Sequence, residues 1–90
     1  MTYLESLKTE MLFFKGVSAK EKKDSEGCPL LDITVPTNAG DVTVSDIDES
    51  TAAGIQMAGR GVGFSYHSEN FFKTYIESIG FEIQLRREHA

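Results

Sequence analysis

The apolar periodicity of residues 61–88 changes twice, and this constrains the fold more than any other feature. Val62, Phe64 and Tyr66 alternate with Gly61, Gly63 and Ser65, the period-2 pattern of a strand with one buried face. Phe71, Phe72, Tyr75, Ile76 and Ile79 then recur at helical spacing, behind Ser68 as N-cap and ahead of Gly80 as stop. Phe81, Ile83 and Leu85 return to alternation, with Glu82, Gln84 and Arg86 on the opposite side. Such a strand, helix and strand must bury one face against a second set of apolar residues.

The upstream chain supplies that set. Residues 2–15 predict a helix: Thr2 and Glu5 fit a capping box, Leu4, Leu7, Met11 and Phe14 form a stripe, and Gly16 ends it. Leu12 and Phe13 widen the stripe, which favours a helix lying flat on a sheet over one that presents an exposed partner-binding ridge. Val17 and Ala19 open a short edge strand that Lys20, Lys22 and Lys23 interrupt, and residues 24–29 carry the turn chemistry of a loop. Leu31, Ile33 and Val35 alternate with Asp32 and Thr34; after a turn at residues 37–40, Val42 and Val44 continue the pattern as the second arm of a hairpin. Residues 47–58 admit two readings. Asp48 can cap a helical turn that Gly54 weakens, or a loop can lead to a strand through Ile55 and Met57 that turns at Gly59 and Arg60; the second is favoured.

Ninety residues make one compact domain spanning positions 1–90. The expected architecture is α+β: a two-layer sandwich with a mainly antiparallel sheet of about four to six strands and two helices on one face. Its core draws on Leu4, Leu7, Met11 and Phe14, on Phe72, Tyr75, Ile76 and Ile79, and on Ile33, Val35, Val42, Val44, Phe64, Ile83 and Leu85. Apolar runs are too short to cross a bilayer, and Glu5, Lys8 and Glu10 break up any secretory-type segment. With a single cysteine, Cys28, no intramolecular disulfide and no cysteine-based zinc site can form. A cytoplasmic setting is expected.

The net charge of −5 disfavours direct binding to nucleic acid or an anionic membrane. No Lys or Arg lies between Lys23 and Arg60, whereas Asp24, Glu26, Asp32, Asp41, Asp46, Asp48 and Glu49 do. This imbalance predicts a small acidic inhibitor or adaptor that occupies a basic surface of a partner protein through Asp41, Asp46, Asp48 and Glu49. Mimicry of nucleic-acid charge is a variant of the same reading. The alternative is a module for an anionic ligand or nucleotide, in which the glycine-rich backbone at Gly59, Gly61 and Gly63 approaches the ligand beside Arg60 and His67.

Catalytic patterns are weaker. Asp46 and Asp48 after a strand resemble the paired aspartates of haloacid-dehalogenase-type phosphotransferases over those residues only, and ninety residues leave no room for the rest of that fold. As a calcium loop the stretch fails, with Thr51 at the turn-glycine position and Met57 where the bidentate Glu belongs. His67 reads as a junction residue and Cys28 as an ordinary thiol, so no catalytic residue, metal or cofactor is assigned. The strand over residues 81–87 offers an edge for homodimerisation.

Overall fold

The computed structural model describes residues 2–57 and 64–87, the side chains of residues 64–67 excepted. Helix α1 (Tyr3–Met11) starts where the capping residue places it: Thr2 is extended, and its Oγ1 accepts the Glu5 N–H at 3.1 Å. The helix ends at Met11, short of the expected Gly16, because the chain tightens into turns that close Phe13 N–H onto Glu10 and Phe14 N–H onto Met11. These turns carry Phe14 into the core while Leu12 and Phe13 point outward, 44% and 56% exposed. The broad buried face expected of this helix is therefore corrected to a narrow one, Leu4, Leu7 and Met11.

Strands β1 (Ser18–Lys23), β2 (Pro29–Thr37) and β3 (Gly40–Ile47) form one antiparallel sheet in the order β1-β2-β3. Strand β2 is central because it alternates without interruption, burying Leu31, Ile33, Val35 and Thr37 on one face. Register pairs Ile33 with Val44 and Val35 with Val42 on the core side, and Thr34 with Thr43 on the other side, where their hydroxyls meet at 2.7 Å. An extra residue in β3 between Val44 and Ile47 makes a bulge, with Asp46 at φ 60°. The bulge returns Ile47 to the buried face, opposite Leu31.

The α+β class and the antiparallel hairpin of β2 and β3 match the sequence expectation, but the element count is three strands and three helices. Residues 47–58, expected as a loop and strand, contain helix α2 (Glu49–Met57). Ala52, Ile55 and Gln56 share one helical face and are buried, and Gly54 lies on the exposed side, where its lack of a side chain costs the packing nothing. The strand expected over residues 61–66 is corrected over its second half: Phe64 opens helix α3 (Phe64–Ser78). Ser68 is itself buried and shares a helical row with Phe72 and Ile76, so the supposed cap lies inside the helix.

The third correction concerns residues 81–87, which make isolated bridges at Ile83 and Arg87 rather than a strand. They lie beside the upper half of β2, beyond the reach of β1, with Asn38 N–H on the Glu82 carbonyl and Gln84 N–H on that of Pro36. The segment is thus already paired, and is not the free edge expected.

One core serves the molecule. Leu4, Leu7, Met11 and Phe14 meet Leu31, Ile33, Val35 and Ile47 from the sheet, Ala52 and Ile55 from α2, and Phe72 and Ile76 from α3. Val42, Val44, Ile83 and Leu85 pack at its margin. Tyr75 and Ile79, expected inside, are 45% and 51% exposed.

Candidate partner-binding edge

Three of the four aspartates and glutamates singled out by sequence also hold the fold together. Asp48 caps α2, its Oδ1 accepting the Thr51 N–H at 2.7 Å, and those bonds to Thr51 hold its carboxyl below the ordinary aspartate range. Glu49, one residue on, reaches across to α1: its two carboxylate oxygens accept the N–H groups of Tyr3 (2.8 Å) and Leu4 (3.1 Å). One acidic side chain in the first turn of α2 therefore satisfies two of the unpaired amides at the start of α1.

Asp46 sits at the bulge, where its N–H donates to Asp32 Oδ1 at 3.0 Å. That backbone bond is the main reason the Asp32 carboxyl is held below its usual range, ahead of Lys22. Lys22 from β1 spans the sheet, its Nζ 2.5 Å from Asp46 and 3.1 Å from Asp32, and is held above the ordinary lysine value by Asp46 first and Asp32 second. The trio carries a net charge of −1 and ties the bulge to both other strands. Asp41, exposed at the start of β3 opposite Pro36, is the remaining member. All four acids lie on or just after β3, and Asp41, Asp46 and Asp48 are exposed.

Next to these acids is an apolar surface that includes Tyr75 and Ile79, which periodicity alone assigned to the core. A groove of about 360 Å³ runs between β3 and the helices. Val44, Ile47, Ile55 and Phe72 form its floor, and Phe71 and Tyr75 its far wall. Phe71 and Tyr75 are 43% and 45% exposed and continue to Ile79 at i, i+4 and i+8 along α3. The signal was present in the sequence. Five large apolar residues at positions 71, 72, 75, 76 and 79 make an arc wider than one helix face needs, and the buried row is already filled by Ser68, Phe72 and Ile76.

On its outer side β3 has no partner strand among the described residues. Leu12 and Phe13 form a separate exposed ridge, near the Arg87 guanidinium, which lies 5.4 Å from the Phe14 ring centroid and pairs with Glu69 at 2.8 Å. Gly59, Arg60, Gly61 and Gly63 of the anionic-ligand reading lie outside the described residues, as does the His67 side chain. Cys28 is exposed in the loop between β1 and β2, where Asp24 Oδ1 accepts its N–H. No group of three His, Cys, Asp or Glu residues among the described residues is arranged to hold a metal ion, and no described helix is long and apolar enough to cross a membrane. Comparison of the chain with protein-family models, with curated proteins and with solved structures gives no match.

Proposed function

We propose that the protein is a small acidic binding module that engages a basic surface of another protein through β3 and the adjoining groove. One observation carries this reading: β3 lies between exposed acids and exposed apolar side chains, with Asp46 at its bulge where the groove begins and Phe71 and Tyr75 on the groove's helix side. Acidic groups at the rim speed encounter with a basic partner and orient it, while desolvated aromatics supply most of the binding energy. The caps made by Asp48 and Glu49 do not remove their charge; they fix where it stands. Inhibition or bridging follows from occupying the partner's surface, and the chain's own chemistry then plays no part. A cytoplasmic setting suits an exposed, unpaired Cys28.

The test must leave the two helix-capping acids alone. Reversing Asp48 or Glu49 would uncap a helix, so the informative variants are Asp41→Lys and Asp46→Asn, the latter because Asn tolerates a positive φ. A partner recovered with the tagged full chain should associate more slowly with the double variant, by about tenfold at low salt, and the difference should shrink as salt rises. A partner bound equally by wild type, by this variant and by Phe71→Ser/Tyr75→Ser would overturn the assignment of the surface.

A further inference from the structure

The open edge of β3 defines what the partner must present. Pro36 directs its carbonyl away from β3 toward Gln84, so Asp41, which pairs with Pro36, directs its own backbone groups away from β2. Alternation gives Thr43 and Ser45 the same outward direction, up to the bulge, where Asp32 takes the Asp46 N–H. Residues 41–45 thus offer a row of donors and acceptors, unpaired among the described residues and about 16 Å long, the span of an ordinary short strand. A strand laid along it would face two surfaces. On the helix side its side chains would meet the groove of Val44, Ile47, Phe71 and Tyr75. On the other side they would lie beside Asp41 and the Asp32–Lys22–Asp46 trio, with its excess negative charge.

We propose that the protein binds an extended segment of its partner by strand addition to β3, and that this segment alternates large apolar residues with Lys or Arg. The inference rests on the protein-binding reading above and names its mode and its ligand class. Charge selects a foreign basic segment over a second copy of this chain. Antiparallel self-pairing of β3 about Thr43 brings Asp41 of each copy beside Ser45 and the bulge aspartate of the other; Lys22 of β1 offsets one charge of the Asp32–Asp46 pair, and no Lys or Arg occurs in β2, β3 or α2 to offset the remainder and Asp41.

The probe is a blocked eight-residue peptide of alternating Val/Ile and Lys/Arg, titrated into the full chain and followed by amide chemical shifts and hydrogen exchange. Two controls are matched to it: a scrambled peptide of the same composition, and the alternating peptide N-methylated at every second amide, made in both phases. Slowed exchange is expected at Asp41, Thr43 and Ser45, with binding at least about tenfold tighter than for the scrambled peptide. One N-methylation phase should lose about tenfold or more, since its methyl groups fall on the paired edge, and the other should keep its affinity. Equal binding of all four peptides, with shifts confined to Phe71, Tyr75 and Ile79, would overturn strand addition while leaving the acidic, apolar binding surface in place. Binding of none of them by wild type would also overturn it, and the failure of the broader reading would be separate: no protein retained by the tagged chain. A concentration-dependent dimer protected at the same three amides would overturn it in favour of self-pairing.

Discussion

Glu49 shows how a residue can stand out by its charge while its role goes unseen. From sequence it is one of a run of carboxylates; in the fold it bridges two helix starts, and only the tertiary arrangement brings Tyr3 and Leu4 to it. Glu49→Ala should lower stability by about 1–2 kcal/mol in urea unfolding, since two part-exposed amides lose a charged acceptor. Amide exchange at Tyr3 and Leu4 should rise at the same time, with α2 still formed. The pH limits follow from neighbouring groups. Asp32 and Asp48 have carboxyls depressed in the folded state, so the stability they contribute is complete above the ordinary aspartate range and is lost as pH falls through their folded values. Lys22 is raised, so its contribution holds below the ordinary lysine value and disappears as pH climbs through the folded one. Thermal unfolding against pH should therefore fall off at both extremes. Asp48→Asn, which keeps a cap without the charge, should flatten the acid side and leave the alkaline side unchanged.

The helices decide which apolar residues hold the molecule together. Phe72 and Ile76 are wholly enclosed, whereas Phe71 and Tyr75, one position earlier, border the groove. Phe72→Ala should cost about 3–5 kcal/mol, enough to unfold much of a domain this small. Phe71→Ser and Tyr75→Ser should each cost under about 1 kcal/mol by urea unfolding, so binding effects in those variants can be separated from folding. Elements with a single period were legible in the sequence: the β2–β3 hairpin, the start of α1 and the body of α3. The start of α3 was not, because a Gly-x-Gly-x-Ser-x alternation through Phe64 also satisfies a helical row, and the buried Ser68 that decides between them looks like a cap. Ser68 is buried because its Oγ donates to Gln56 Oε1 at 2.8 Å across the α2–α3 contact, a pairing that sequence spacing does not reveal. Helix α2 was missed for a related reason: Gly54 argued against it locally, and burial of Ala52 and Ile55 against α1 and α3 outweighs that cost. The candidate site was half legible. Its acids stood out as a charge imbalance, but of its aromatic wall Tyr75 was assigned to the expected core and Phe71 was given no role beyond the helical spacing.

At the scale of the whole molecule, net charge and the exposed apolar stripe oppose each other. A domain of this size encloses a limited share of its apolar groups, and here Phe71, Tyr75 and Ile79 remain outside along one helix. A net charge of −5 keeps copies apart at neutral pH, and the exposed acids on and just after β3 set part of that repulsion close to the apolar stripe. Protonating carboxylates removes the repulsion before it removes the fold, since Asp32 and Asp48 hold their charge to lower pH than ordinary carboxylates. Sedimentation velocity should therefore show a monomer at pH 7 and concentration-dependent association near pH 5, while circular dichroism stays unchanged. Phe71→Ser/Tyr75→Ser/Ile79→Ser should remain monomeric at both pH values, because the adhesive surface is gone and the core is not. Asp41→Lys should shift the onset of wild-type association toward neutral pH. If the triple variant associates as readily as wild type, the adhesive surface lies elsewhere, with the exposed Leu12 and Phe13 the next residues to replace, and the stripe beside β3 is not what holds the copies together.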